Sequence, residues 1–383
     1  MSAQHERYPR AELILEWANT LKSVRTTAPG FAPIVVAPVV DEDGMTSDEN
    51  RLCRAKCLWA LQYSRLKDDD RLVRALFESE TAWHRMAPFQ GLADELRLAA
   101  TLLAHDPPED TLDLMWQAKT ANFDTWCGLD SRFLGVGGVD DAISDAQAML
   151  PVDDNLMDHL MDGEDARFSD AEVAVYLDEM STAFPGTPEA EAPFRWFDRA
   201  QKCGETVLAK LLLDEWCEND APPDSSLQRY LASIGHYQEA VDVQRRVVTM
   251  PTDGLMTTHN MIRLAELERL AGSYGDALTT LRRATEALAR LSRPPAGNTL
   301  RRLAEEGFLL CLVADDPTAT RAFKFADSIA DSLGGPPNSD PLPLIVLRSA
   351  RDAARKIGKK RRARHYEKRA EIERARIGHP TDE

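Results

Sequence analysis

Six cysteines, eight histidines, one glycine run and one acidic run are where chemistry would have to arise in this 383-residue chain. Cys53 and Cys57 are four apart, so a helix would put both on one face, and two thiolates there would be half of a metal site. No histidine or further cysteine pair lies near them in sequence, and packing as half-buried thiols accounts for them better. Cys127, between Trp126 and Gly128, would need a base held beside it to act as a nucleophile. His5, His84, His105, His159, His236, His259, His365 and His379 fall in neither HExxH nor HxH spacing. Gly135-Val136-Gly137-Gly138 has no strand before it and no Gly-Lys-Ser/Thr ending, and Asp140 and Asp141 after it would repel phosphate; it reads as a turn between helices. The acidic run from Asp153 to Asp165 fails as a calcium loop, because with Gly163 as its central glycine two ligand positions fall on Leu160 and Ser169. The expectation is no catalytic residue, no metal, no cofactor and no enzyme.

Composition narrows the remaining classes. Hydrophobic residues make up 43% and charged residues 28%, which fits a folded chain rather than a disordered one. No apolar run approaches the roughly 18 residues of a membrane span. Met1 to Arg7 lacks the basic and then apolar pattern of a secretory signal, and six cysteines in so long a chain make no disulfide framework, so the cytoplasm is expected. The net charge is −17, unevenly spread. From Arg348 to Arg376 thirteen Lys/Arg stand against four Asp/Glu, a net of +9, which leaves −26 for the rest. An acidic body disfavours nucleic acid as a general partner.

The elements that would position any functional side chain are helices. Alanine, leucine, arginine and glutamate dominate, and alternating β-branched runs are nearly absent. The one β-like segment is Ile34-Val35-Val36-Ala37, expected either as a short strand or as extended packing, and Thr46 or Ser47 is placed to cap the helix after it. Between Leu227 and Ala284 one hexad occurs twice: Gly235-His236-Tyr237-Gln238-Glu239-Ala240 and Gly272-Ser273-Tyr274-Gly275-Asp276-Ala277. Glycine can take φ > 0 and end a helix. Ala240 and Ala277 sit where a second helix must approach closely, and Val247 and Ala284 follow two turns along the same face. Ala314, with Ala319 and Ala326 after it, marks a third corner. Gly358, with Ala363 and Ala370, marks a fourth.

A fixed-period Gly-x-Tyr-x-x-Ala between two helices resembles the tetratricopeptide (TPR) repeat. The resemblance implies an all-α fold: a right-handed helical-hairpin solenoid (TPR-like), with an N-terminal helical half of degenerate repeats. In that half the matching corners are Asp70 (with Trp59, Ala75 and Ala82), Asp106 and Gly137. The expected division is 1–220, an N-terminal helical domain; 221–376, the repeat domain; and 377–383, a tail. Asn219 to Ser225 is the boundary. Glu189 to Glu218 reads as one or two long helices. Leu291 to Asn298 and Gly334 to Pro343 are loops, and the charged last helix is a cap.

The resemblance also implies a concave surface lined by the first helix of each hairpin. Its groove-facing positions fall on Arg229; on His259, Ile262, Arg263, Glu266 and Arg269; on Arg301 and Phe308; and on Arg348, Asp352 and Arg355. The Lys/Asn carboxylate clamp of chaperone-binding TPR proteins is missing there. Six arginines point to an acidic peptide or acidic protein surface as partner, since guanidinium grips carboxylate bidentately. The competing reading pairs them with Glu266, Glu305 and Asp352 of the chain itself. The expected function is a non-enzymatic scaffold or adaptor; the alternatives are a ligand- or peptide-responsive regulatory sensor and an acidic inhibitor or decoy of a basic protein. The sequence leaves the oligomeric state open.

Overall fold

The structure, a computed structural model, describes residues 9–27, 31–40, 46–87, 91–148, 154–291, 297–333 and 342–376. It is all-α, with two minimal hairpins of strand. Chain contacts divide it into two compact units, Met1–Leu212 and Leu213–Glu383. Among the described residues no helix is long and apolar enough to cross a membrane. The expected tail, most of both late loops, and parts of the early proline-rich loop and the acidic run lie outside the described residues.

The N-terminal unit runs α1 (Pro9–Thr26), β1 (Pro38–Val40), β2 (Thr46–Asp48), α2 (Arg51–Ser64), α3 (Asp70–Met86), α4 (Asp94–His105), α5 (Thr111–Lys119), α6 (Phe123–Gly128), α7 (Val139–Ala148), α8 (Asp154–Leu160), β3 (Met161–Asp162), β4 (Asp165–Ala166), α9 (Asp170–Ala183), α10 (Pro193–Lys202) and the first half of α11 (Thr206–Asp220). Its core is organised by three fully buried indoles. Trp17 lies 5.1 Å from Trp59 and stacks on Trp196 at 5.6 Å. Beside them Glu191, with a fully buried side chain, meets Arg195 at 3.3 Å and Arg199 at 3.3 Å, and accepts from Tyr63 Oη at 2.7 Å. The Arg199 guanidinium also lies over the Trp17 and Trp59 rings, so the charge is held between a carboxylate and π faces.

Several expectations for this unit are corrected. Ile34 closes a 3-10 turn, and the strand forms one step later at Pro38–Val40, paired antiparallel with Thr46–Asp48. Asp48 causes the shift: its Oδ1 accepts from Ala37 N at 2.8 Å, while Asn50 Nδ2 donates to Val35 O at 2.8 Å and takes that carbonyl out of any ladder. Thr46 and Ser47 lie in that strand, so Asn50 precedes α2 in their place. Asp70 is the first helical residue of α3, after a 3-10 turn at Lys67–Asp69, and Leu72, Leu76 and Trp83 are buried while Ala75 and Ala82 are only half-buried. The alanine spacing there does not mark the packed face. The 189–218 stretch, expected as one or two helices, forms two, α10 and α11, with Gly204 at φ +76° between them.

After the second half of α11, the described residues of the C-terminal unit form four helical hairpins: α12 (Asp224–Ser233) with α13 (Tyr237–Thr249), α14 (Gly254–Leu270) with α15 (Tyr274–Ala289), α16 (Gly297–Val313) with α17 (Asp316–Leu333), and α18 (Leu344–Lys356) with α19 (Lys360–Arg376). Three corners share one motif. Gly235, Gly272 and Gly358 take φ of +81°, +80° and +74°. The residue after each donates back to the sixth position: His236 N to Leu231 O, Ser273 N to Glu268 O and Lys359 N to Ala354 O, at 2.7–2.9 Å. The third corner has Ala314 and cannot close that way. Lys356 of α18 caps it instead, donating to Leu312 O and Ala314 O at 2.8 Å each. Ala240, Val247, Ala277, Ala284, Ala319, Ala326, Ala363 and Ala370 are all buried, so the same two positions after every corner form the helix contacts. Gly307 lets α16 and α17 approach closely: a Cβ there would lie 2.9 Å from Ala326 Cβ and 3.1 Å from the Phe325 ring.

Candidate interaction face

Three of the four first helices, α12, α14 and α16, are joined by polar rungs. Arg263 of α14 donates to Gln228 of α12 at 3.0 Å. His259 of α14 meets Thr299 of α16 at 3.0 Å. Arg269 of α14 holds Glu306 of α16 through two bonds, at 2.5 and 3.3 Å. Residues 35, 40 and 37 apart in sequence are thereby locked side by side.

The sequence-derived positions divide into three groups. Arg229 and Arg355 are exposed. His259, Arg263, Glu266, Arg269, Arg301, Arg348 and Asp352 are half-buried along the face. Phe308 and Ile262 are core. Phe308 has no exposed surface and packs 5.8 Å from the Phe323 ring and 5.6 Å from the Tyr366 ring, so it offers nothing to a partner. The resemblance placed Phe308 on the groove face, but it lies on the side that meets α17 and α19.

Three of the six arginines hold carboxylates of the chain. Arg263 pairs with Glu266 at 2.8 Å, and Arg355 with Glu367 at 2.9 Å and Asp352 at 3.6 Å. Arg269 chooses Glu306, which the sequence reading did not single out, over Glu305. A pocket of about 180 Å³ opens there, lined by Glu266, Arg269, Arg302, Glu305 and Glu306 over Ile262 and Leu309. Burial pushes the Glu306 carboxyl up to about 7 despite Arg269, with Glu266 and Glu305 adding like charge. Burial also raises Glu305. Arginine spacing was visible in the sequence, whereas Glu306 was hidden because a buried carboxylate leaves no periodic mark.

The other chemical candidates are scattered. Cys53 and Cys57 lie together on α2, where a hydrogen bond from Cys57 lowers the Cys53 thiol and Lys56 and Arg54 help. Cys127 is exposed at the end of α6. Ser131 Oγ lies 2.9 Å from His159 Nδ1, and His159 sits edge-on to Trp126 and Trp116. Among the described residues no group of three His, Cys, Asp or Glu converges as a metal site. No family profile matches the chain, and no curated protein matches its sequence.

Proposed function

We propose that the C-terminal unit is a TPR-like, right-handed stack of helical hairpins and that the protein is a non-enzymatic cytoplasmic adaptor, binding a segment of another protein along its first-helix face. The observation that carries this reading is the set of rungs: they hold the first helices α12, α14 and α16 in fixed register, so a partner meets a preformed surface and little ordering cost falls on binding. The partner segment is acidic at the contact. Solvent-accessible ion pairs such as Arg263–Glu266 and Arg355–Glu367 are worth about 0–1 kcal/mol each, so a partner carboxylate can replace the internal one. Arg269 is different. Its side chain and that of Glu306 are 13% and 7% exposed, and breaking such a pair costs roughly 3–5 kcal/mol. Arg269 therefore clips α14 to α16 and leaves recognition to Arg229, Arg263, Arg348 and Arg355.

The test is affinity capture from native cell extract with wild type beside an Arg263→Glu/Arg355→Glu variant of equal thermal stability, at low and moderate salt. The expected result is a partner that wild type retains, that the variant loses, and that moderate salt weakens. A partner held equally by both removes the first-helix face from the function.

A further inference from the structure

Two stretches of this chain carry equal and opposite charge, and neither is neutralised where it stands. From Asp140 to Asp165 there are nine Asp/Glu and no Lys/Arg, a net of −9. From Arg348 to Arg376 the net is +9. The described residues of the acidic stretch lie on α7, α8 and the β3–β4 hairpin of the N-terminal unit, and α7 packs against both α8 and β4. Asp141, Asp145, Asp158 and Glu164 are exposed there, and none holds a Lys or Arg among the described residues. The basic stretch is α18 and α19, and the fold sorts α19 by charge. Of its three carboxylates, Glu367 holds Arg355 of α18 and Glu373 holds Arg376. Arg362 turns to Asp327 and Asp331 of α17. Lys360, Arg361, Arg364 and Lys368 are left over. All four are exposed, and none meets a carboxylate among the described residues. Their three- and four-residue steps put them on one face of the helix.

The surroundings of that face narrow its occupant. The apolar side of α19, with Ala363, Tyr366 and Ala370, is buried in the core, so the helix has no apolar face to lay on a membrane. Tyr366 is also its only Phe, Tyr or Trp, so no such ring is offered to a nucleic-acid base. The complement of matched charge is the acidic stretch of a second copy. We infer that α19 of one copy docks on the acidic α7–α8 surface of another, in a heterologous, head-to-tail contact that links copies into rings or open chains. Each exposed ion pair contributes little, so the contact depends on several forming together and is lost when salt screens them. This inference does not depend on the adaptor reading of the C-terminal unit.

The test is sedimentation equilibrium of the purified full chain over a range of protein concentrations. The lower salt is about 0.1 M, where a Debye length of about 10 Å screens the like net charges of two copies but not touching patches. The higher is about 1 M, where the Debye length is about 3 Å. The weight-average mass should rise with concentration at the lower salt and return to that of the monomer at the higher. Two charge-reversed variants follow, Lys360→Glu/Arg364→Glu/Lys368→Glu and Asp141→Lys/Asp145→Lys/Asp158→Lys. Each alone should stay monomeric at the lower salt. Mixed, they should associate, because each brings the surface that the other has lost, a recovery that damaged folding cannot produce. A wild type that is monomeric at every concentration, an association unmoved by salt, or variants that keep the wild-type unfolding temperature and do not recover on mixing would overturn the proposal. Polyglutamate or duplex DNA bound by a monomeric wild type and released by the α19 variant would give the face to a foreign acidic protein or to nucleic acid instead.

Discussion

Replacing Glu306 with glutamine should change how the stability of this protein depends on pH, with a predictable sign. In the unfolded chain the Glu306 carboxyl titrates near 4.5, and in the fold near 7. Below pH 4.5 it is neutral in both states, and the stability that goes with the neutral form is fully present. Between 4.5 and 7 the unfolded chain ionises while the folded one stays protonated, so stability falls as pH rises. Above 7 the loss is complete. The ceiling is (7 − 4.5) × 1.36, about 3 kcal/mol. The side chain is 7% exposed, so solvent screening reduces this little. Glutamine keeps the shape and can accept from Arg269 but does not titrate. Thermal unfolding of wild type and Glu306→Gln from pH 4.5 to 8 should therefore give curves that diverge. Wild type should lose up to roughly 6–12 °C relative to the variant across that range, at about 2–4 °C per kcal/mol. Parallel curves would refute the reasoning. A wild type that gains stability with pH would show that Arg269 outweighs burial and holds the carboxylate ionised.

Other outcomes follow from packing and backbone. Phe308→Ala should destabilise by about 3–5 kcal/mol by chemical denaturation, since the ring is wholly enclosed by Phe323 and Tyr366. If Phe308 were instead a partner contact, the change would be nearly neutral. Gly272→Ala, at φ +80°, should cost about 1–2 kcal/mol in the same measurement. Gly307→Ala should cost about 1–3 kcal/mol, because the new methyl meets Ala326 at 2.9 Å. In native alkylation followed by peptide mapping, Cys53 should react while buried Cys57 and Cys311 are protected, and Cys57→Ala should slow Cys53 by removing the hydrogen bond that favours its thiolate.

The C-terminal unit was readable because its decisive events are local. A glycine that must take φ > 0 and an alanine five residues later are set by short-range sterics, and three of the four corners repeat both. Where the glycine is missing, at Ala314, reading stopped at the corner itself. The compensating Lys356 lies 42 residues away and looked like one more charge in a basic run. The N-terminal unit was opaque for the same reason on a larger scale. Arg54 and Glu80 are 26 residues apart, and Tyr63 and Glu191 are 128 apart. In a sequence such residues read as solvated polar positions, and they interrupt the apolar period that would have announced their helices. Alanine spacing then misled, matching Ala75 and Ala82 to positions where the core is made by Leu72, Leu76 and Trp83.

The arginines show why residue type alone does not define a site. Arg263, Arg269 and Arg355 looked equivalent in sequence, and all three hold a carboxylate of the same chain. What separates them is the surroundings of that carboxylate. Glu266 and Glu367 remain 30% and 40% exposed, so water or a partner can replace the guanidinium at little cost. Glu306 is enclosed, so losing Arg269 strands a buried acid. An Arg269→Met variant should therefore act on the fold: the Glu306 carboxyl, stripped of its partner, rises further, and the fall of stability with pH extends to higher pH. Arg263→Met should leave that profile in place and change only what the face can hold. A pH profile identical in the two variants would mean that exposure does not sort these pairs, and the division between clip and contact residues would fall with it.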